Sequence, residues 1–168
     1  MAADLHPAVT VKLSASECAV AQMLASMRTL VSRAAGITNQ KQGKQSQHKT
    51  EVEGMAAELA FAKHFNICPD LVIKPRAGGS DGILKGKTID VKATDYPAAR
   101  LMANLSKKKN PSDIFVLLIG KMPEYRIVGY AYAADLINDD NLAKLDNGNT
   151  VYALDQADLK QDWAVDFK

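Results

Sequence analysis

Apolar residues recur at spacings of three and four in two early segments of the chain, a pattern that is typical of helices. Ser14-Ala15-Ser16-Glu17 has the residues of a capping box and predicts an N-terminal helix over 14–35, before Gly36. Thr50-Glu51-Val52-Glu53 is a second capping box and predicts a helix that ends at about Phe65. The first apolar stripe comprises Ala19, Met23, Met27, Leu30, Val31 and Ala34, and the second comprises Met55, Leu59, Ala62 and Phe65.

The pattern then changes to short apolar runs bounded by turn residues, which predicts strands. Strands are predicted at 71–76, at 81–84 and 88–94 around the turn Lys85-Gly86, at 114–119 and at 125–131. The most apolar of them, Ile114 to Ile119, should be central in its sheet. We expect a helical or irregular stretch at 98–105, a loop at 106–112 and a short helix at 133–137. These elements predict an α/β fold with a mixed sheet of four or five strands.

The length of 168 residues indicates one domain, and a hydrophobic content of 47% can supply its core. The domain should consist of the N-terminal helix 14–35, a core of about 50–137 and a C-terminal extension 138–168. We expect the extension, which contains Trp163, to pack across the core or to contribute to a dimer.

Two aspartates are expected to meet across the predicted hairpin. Residues two apart in a strand point to the same face, so Asp90 and Lys92 share one face of their strand. A turn of two or four residues around Lys85-Gly86 sets Asp81 opposite Asp90, whereas a turn of three sets Gly82 there. Directly opposed Cβ atoms lie about 4.5–5.5 Å apart, a distance at which two carboxylates repel. A divalent cation would explain the arrangement; the alternatives are a solvated strand face and ordinary turn chemistry.

A third carboxylate, Glu58, lies within the apolar stripe of the second predicted helix, with Gly54 and Ala62 four residues to either side. A buried carboxylate needs a partner, because it loses its hydration. A bound cation would compensate, and so would a salt bridge to an arginine or a lysine. Glu51 lies on the same side but in the first turn, where we expect it to be solvated.

A helix that carries Glu58, an Asp81 that opens a hairpin and the segment Asp90-Val91-Lys92 on the next strand together resemble the PD-(D/E)XK nuclease superfamily. The likeness is strongest to the small nuclease-like proteins of bacteriophages. It covers about residues 50–137. Each motif is short, so the order and spacing of the motifs carry the resemblance.

The chain departs from the superfamily pattern at two positions. Asp90 stands where glutamate is commoner, and Ser80 stands before Asp81 where the pattern has proline. A literal Pro69-Asp70 occurs upstream. Asp81 is preferred over Asp70 because Leu71-Val72-Ile73 begins a separate predicted strand, and only the hairpin sets a residue opposite Asp90.

The resemblance implies a three-layer α/β/α sandwich, restriction-endonuclease-like, with a metal-dependent nuclease site. Asp81, Asp90 and the backbone carbonyl of Val91 would bind Mg²⁺ or Mn²⁺, hard cations that prefer oxygen ligands. Glu58 would complete the site, directly or through water, or help to hold a second ion. Lys92 would orient or deprotonate the attacking water, or stabilise charge on the phosphorus.

The implied protein is a DNA endonuclease of phage-type recombination, repair or DNA breakdown. A non-catalytic nucleic-acid-binding module that retains the nuclease fold is the alternative. A third possibility is a structural cation site in an unrelated enzyme. Cutting both strands of DNA would favour a symmetric homodimer.

Positive charge is concentrated in two stretches, although the net charge is only +2. Residues 37–49, rich in Gln and Lys, are predicted to form a mobile loop that orders on nucleic acid. A second basic stretch lies between Asp95 and Asp113. Such stretches suit a phosphate backbone, although a solvated surface is the other interpretation. The residues predicted to contact nucleic acid are Lys41, Lys44, Arg100, Lys107, Lys108 and Lys109.

Cysteine and histidine positions argue against a thiol or zinc site. Cys18 and Cys68 have apolar neighbours and no ligand spacing, which predicts reduced core thiols in a cytosolic protein. The three histidines make no zinc pattern. Neither a signal peptide nor a long apolar span is recognisable, so we expect a cytoplasmic protein with no membrane partner.

Overall fold

The computed structural model describes residues 9–37, 46–75 and 79–163. Lys41, Lys44 and most of the predicted 37–49 loop lie outside these residues. The helices are α1 (Ala15–Ala34), α2 (Gln47–Phe65) and α3 (Ala133–Leu136). The strands are β1 (Val9–Lys12), β2 (Gly82–Leu84), β3 (Lys87–Thr94), β4 (Leu101–Asn104), β5 (Ile114–Lys121), β6 (Glu124–Tyr132), β7 (Leu142–Lys144) and β8 (Thr150–Leu154). Short 3₁₀ helices span Leu105–Lys109, Asp139–Asn141 and Gln156–Asp158.

Five strands form a mixed sheet in the order β1-β6-β5-β3-β2. Only β3 and β5 are parallel within it, and the other neighbours are antiparallel. The prediction of an α/β fold with a mixed sheet is therefore confirmed. The predicted central strand is also confirmed, because β5 lies in the middle of the sheet and residues 114–119 are all buried. A second, antiparallel sheet has the order β4-β8-β7.

The main sheet separates two apolar clusters, because successive side chains of a strand point to opposite faces. On one face, α1 and α2 pack against alternate residues of β3 and β5, including Ile89 and Val116. On the other face, Phe115 and Leu117 pack with residues of β4, β8 and α3, including Leu101 and Tyr152. Alternate residues of β3 therefore face either the helices α1 and α2 or the side of the sheet that carries β4, β8 and α3.

Helix α1 begins where the sequence predicts. Ser14 Oγ accepts a hydrogen bond from the Glu17 backbone N–H at 3.2 Å, and the Glu17 carboxylate accepts one from the Ser14 backbone N–H at 2.6 Å. Its apolar stripe is not the buried face, however. Met23, Met27 and Leu30 are 56%, 42% and 66% exposed. The residues that α1 buries are mostly small and allow a close approach to its neighbours: Ala21, Leu24, Ala25, Thr29 and Ser32.

Helix α2 begins at Gln47, three residues before the predicted start, and ends at Phe65 as predicted. Ser46 caps it, since its side chain accepts from the Lys49 backbone N–H at 3.3 Å. The capping box predicted at Thr50 is wrong, because Thr50 lies inside the helix and its hydroxyl donates to the Ser46 carbonyl. Glu53 is thereby free of a capping role.

The Glu53 carboxylate instead anchors the turn between β5 and β6. It accepts hydrogen bonds from the Met122 backbone N–H at 2.9 Å and from the Tyr125 hydroxyl at 2.5 Å. Burial, together with this bond to Glu53, raises the pKa of the Tyr125 hydroxyl. In the apolar stripe predicted for α2, Met55 and Ala62 are buried, and Leu59 and Phe65 are partly buried.

Several elements differ from the predictions, and the strands β1, β7 and β8 were not predicted at all. Residues 71–75 do not form a strand, and no described strand pairs with them. Their backbone is held instead by Arg28, whose guanidinium donates to the carbonyls of Asp70 and Val72. The stretch predicted as helical or irregular contains β4, which pairs with β8, and the predicted loop contains the 3₁₀ helix Leu105–Lys109. Because β4 pairs with a strand that is far away in the sequence, no local pattern predicts this pairing.

The C-terminal part, as far as Trp163, packs across the core, which is the first of the two alternatives expected for it. Tyr130 and Lys160 exchange two backbone hydrogen bonds of 2.9 and 2.8 Å. The ring of Trp163 lies 4.4 Å from that of Tyr130 and 4.8 Å from that of Phe65, centroid to centroid. The predicted helix at 133–137 is present as α3. In the described parts of the chain, no helix combines the length and the apolar character that crossing a membrane requires.

Candidate carboxylate and lysine site

The hairpin register that was expected from a two-residue turn is present. Ile83 pairs with Thr88 and Leu84 with Lys87, around the turn Lys85-Gly86. Both turn residues have positive φ, 47° and 81°, which fits the type of turn that matches the twist of a hairpin. The pairing extends to Gly82 and Ile89, so Asp81 precedes the strand at the position opposite Asp90.

Asp81 is held against β3 by two hydrogen bonds. Its backbone N–H donates to the Ile89 carbonyl at 2.7 Å, and its carboxylate accepts from the Val91 backbone N–H at 2.7 Å. Burial, followed by the negative charge of Asp90, raises the pKa of the Asp81 carboxyl to about 6. The bond from Val91 and the charges of Lys92 and Lys107 oppose that rise. The negative charge of Asp90 therefore acts on the Asp81 carboxyl.

Asp90 is the most deeply buried charged residue of this site, with 2% of its surface exposed. Its Oδ1 lies 2.5 Å from Lys92 Nζ, and its Oδ2 lies 2.6 Å from Lys107 Nζ. Within the described parts of the chain, Oδ1 has no partner in hydrogen-bond geometry, because the Lys92 amine approaches it at an unsuitable angle. The ion pair with Lys92 therefore compensates the charge at Oδ1 without a well-directed hydrogen bond.

The site lies on the face of the sheet that carries the second apolar cluster. Asp90 pairs in register with Phe115 and Lys92 with Leu117, and both of those partners belong to that cluster. The side chains of Ile89 and Val91 point to the opposite face, toward α2.

Lys107 was predicted only as a contact for phosphates, but its amine is in the carboxylate site. It comes from the 3₁₀ helix Leu105–Lys109, and 22% of its side chain is exposed. The sequence shows three consecutive lysines, Lys107, Lys108 and Lys109, but it does not indicate which of them reaches the aspartates. The distinction arises because β4 pairs with β8, and that pairing fixes where the 3₁₀ helix begins.

Glu58 does not join the carboxylate pair. Its Oε2 lies 3.3 Å from Nη1 of Arg28, and Arg28 also lies 3.6 Å from the Asp70 carboxylate. Glu58 sits on α2, which covers the other face of the sheet from Asp90. The arginine salt bridge that the sequence left open as an alternative is thus the arrangement present.

Glu58 and Arg28 line a small cleft between α1 and α2, together with Glu51 and Thr29. The expectation that Glu51 is solvated is wrong: it is 8% exposed, and its carboxylate accepts a hydrogen bond from the Thr29 hydroxyl. The reason is the earlier start of α2, which moves Glu51 from the first turn into the packed part of the helix.

Of the other basic residues predicted to contact nucleic acid, Arg100, Lys108 and Lys109 are exposed, whereas Lys41 and Lys44 lie outside the described residues. Lys108 pairs with Asp139 at 3.3 Å, and Arg100 lies 4.0 Å from the Asp155 carboxylate. Lys109 is exposed. Of the two cysteines, Cys18 is partly buried against the first cluster, whereas Cys68 is exposed and is not a core thiol.

The Asp81 and Asp90 carboxylates fit a hard divalent cation as a two-residue donor set. Mg²⁺ commonly keeps several waters and binds proteins through one or two carboxylates. Two carboxylates that face each other across the hairpin match that requirement, and a cation would compete with the two lysine amines that lie against Asp90. Among residues 9–37, 46–75 and 79–163, no group of three or more His, Cys, Asp or Glu side chains is arranged to hold a metal. A third acidic ligand from Glu58 would require it to leave Arg28.

A comparison with protein-family models, with curated proteins and with solved structures finds no match.

Proposed function

We propose that this chain is a Mg²⁺- or Mn²⁺-dependent phosphodiesterase that acts on nucleic acid, in the manner of a DNA endonuclease. The observation that carries the proposal is the opposition of Asp81 and Asp90 across a hairpin, with Lys92 two residues further along the same strand face. The order of these residues matches the superfamily that the sequence resembles. That superfamily has a three-layer α/β/α sandwich, and the helical layer of α1 and α2 on one face of a mixed sheet supports this part of the proposal. The other face is covered by β4, β8 and the short helix α3.

Hydrolysis of a phosphodiester requires a nucleophilic water and neutralisation of the charge that builds up on phosphorus. A divalent cation, when bound, supplies Lewis-acid polarisation and lowers the pKa of a coordinated water. Asp81 and Asp90 would hold it through carboxylate oxygens. Val91, between Asp90 and Lys92, holds Asp81 in place through its N–H, and its carbonyl is proposed as a further ligand.

Lys92 is the residue that we propose acts on the reacting groups. Its amine is 2.5 Å from Asp90, and 35% of its side chain is exposed, so it borders both the carboxylates and solvent. There it would orient the attacking water or stabilise negative charge on the phosphorane. Glu58 enters the proposal as a residue that joins α1 to α2 through Arg28, rather than as a ligand.

A second candidate function, a non-catalytic nucleic-acid-binding module, is favoured by one observation. Two lysine amines already lie within 2.6 Å of the Asp90 carboxylate. A carboxylate that is neutralised in this way needs no metal ion, so the fold could bind phosphates and cut nothing.

Plasmid nicking in Mg²⁺ or Mn²⁺ separates the two functions. We expect cleavage by the wild-type protein, loss of cleavage in Asp90→Asn and Lys92→Met, and retention in Asp70→Asn, which changes a carboxylate paired with Arg28. Binding of the plasmid without cleavage in either metal would establish the module instead. Equal losses in Asp70→Asn and Asp81→Asn would show that the wrong aspartate was assigned.

A further inference from the structure

Lys107 and Lys92 hold the two oxygens of one buried carboxylate. Lys92 Nζ is at Oδ1 of Asp90 and Lys107 Nζ is at Oδ2, at 2.5 and 2.6 Å. Asp81 adjoins them, because its carboxylate accepts from the Val91 backbone N–H between Asp90 and Lys92, so the cluster contains two acids and two amines. A divalent cation that binds Asp90 must therefore displace a lysine amine from at least one of its carboxylate oxygens.

We propose that Lys107 is a resident competitor for the cation: it occupies Asp90 in the ion-free protein and leaves when the divalent ion binds. The proposal deepens the proposed function and depends on it, since it concerns the same carboxylate pair. The released amine would then face the phosphate backbone of the nucleic acid. Cation binding and the recognition of an anionic polymer would in this way be coupled through one side chain.

The two lysines differ in how easily they can leave. Lys92 projects from β3, the same strand as Asp90 and only two residues away, so the strand itself keeps it near. Lys107 comes from a separate 3₁₀ helix of five residues, Leu105–Lys109, in which no residue is fully buried. The Lys107 side chain is partly covered, with 22% of it exposed, so an edge of the site is already open to solvent beside it. Rotamer changes along its four-carbon stem can move the amine from Asp90 toward that opening.

The segment that carries Lys107 also suits a phosphate ligand. Lys108 and Lys109 follow it directly, and both are exposed. Lys108 pairs with a carboxylate that is itself 78% exposed, a contact that is weak in water. An amine released from Asp90 would join these two at the edge of the site, where adjacent phosphates of a nucleic-acid strand provide several acceptors.

Calorimetric titration with Mn²⁺ tests the competition. We expect Lys107→Met to bind Mn²⁺ about tenfold more tightly than wild type, because no ammonium group has to be displaced from Asp90. Lys108→Met makes the same change of net charge one residue away and should leave the affinity unchanged. The proposal is overturned if Lys107→Met binds no more tightly than wild type, or if Lys108→Met gains as much.

Amine labelling of the wild-type protein gives a second measurement that needs no variant. With an acylating reagent and mass spectrometry, Lys107 should react more slowly than Lys109 in EDTA and several times faster once Mn²⁺ is added. A rate that Mn²⁺ leaves unchanged or lowers would refute the displacement.

A titration of Asp90→Asn separates this inference from the function on which it rests. If Asp90→Asn binds Mn²⁺ as well as wild type, the carboxylate pair is not the cation site and both proposals fail. If it binds weakly while Lys107→Met equals wild type, only the role of Lys107 fails.

Discussion

Arg28 on α1 and Glu58 on α2 form an ion pair in which Nη1 and Oε2 lie 3.3 Å apart. Only 18% and 10% of the two side chains are exposed, so the charges are largely removed from water. Arg28 also lies 3.6 Å from the Asp70 carboxylate and donates to the Asp70 carbonyl. One guanidinium group thus joins α1, α2 and the segment that follows α2.

Loss of this ion pair should affect stability and leave cation binding intact. Glu58→Gln retains the shape but leaves Arg28 with a weaker partner, so we expect a loss of about 1–3 kcal/mol in the free energy of unfolding. Urea denaturation measures it. The Mn²⁺ affinity from calorimetry should stay at the wild-type value. A loss of affinity comparable to that of Asp90→Asn would instead put Glu58 in the cation site.

Asp81→Asn should make the ion-free protein more stable at neutral pH. The folded-state pKa of Asp81, about 6, exceeds its ordinary value of 3.8, so folding favours the protonated acid. Its contribution is fully present below about pH 4 and is lost as the pH rises through 6. The asparagine mimics the protonated acid and can still accept from Val91. A difference of two pKa units sets an upper bound of about 3 kcal/mol in favour of Asp81→Asn at pH 7.5.

Urea denaturation in EDTA at pH 7.5 and at pH 4 checks this dependence. The two proteins should differ at pH 7.5 and converge near pH 4. Added Mg²⁺ should stabilise the wild type and leave the stability of Asp81→Asn unchanged. An ion that binds only the folded protein raises the free energy of unfolding more, the more tightly it binds. A pH-independent difference would mean that the titration of Asp81 is not responsible.

The hairpin could be predicted from the sequence because its determinants are local. The turn Lys85-Gly86 fixes the register, and the two-residue period of a strand then places Asp90 and Lys92 on one face. The partner of Glu58 could not be predicted in the same way. The apolar stripe of α2 that contains Glu58 is compatible with packing on the sheet or on α1. The ion pair with Arg28, which lies 30 residues away in the sequence, places Glu58 against α1.

The role of Lys107 was beyond a local pattern for a related reason. Its position depends on the pairing of β4 with β8, whose partners Leu101 and Leu154 are far apart in the sequence. The face of α1 was mistaken because large apolar residues are normally buried, whereas here small residues such as Ala21 and Ala25 make the contact. Local periodicity therefore predicted the helices and the strands β2, β3, β5 and β6, but it predicted neither the strands β1, β4, β7 and β8 nor the buried face of α1.

The exposed lysines beside the site should contribute to nucleic-acid affinity. Replacement of Lys108 and Lys109 together by alanine should weaken binding and reduce the slope of log affinity against log salt by about 1 to 2, since each phosphate contact releases counterions. Fluorescence anisotropy with a labelled duplex at several salt concentrations measures the slope. Lys12→Ala, on the edge strand β1, is the matched control and should change neither quantity. An unchanged slope in the double variant would remove the 3₁₀ helix from the binding surface.

Gly129 should be essential for the packing of the C-terminal segment on β6. A Cβ atom there would lie 2.8 Å from Leu159 Cβ and 2.8 Å from the Lys160 carbonyl oxygen, and the Lys160 backbone is bonded to Tyr130. Gly129→Ala should therefore cost about 1–3 kcal/mol in unfolding free energy, as overpacking does. Gly54→Ala is the control. Apart from the backbone of its own helix, no atom of the described residues lies within 4 Å of a Cβ at that position, so alanine should stabilise α2 by up to about 1 kcal/mol. Circular dichroism during urea unfolding distinguishes them, and a Gly129→Ala protein as stable as wild type would show that the C-terminal segment does not pack tightly on β6.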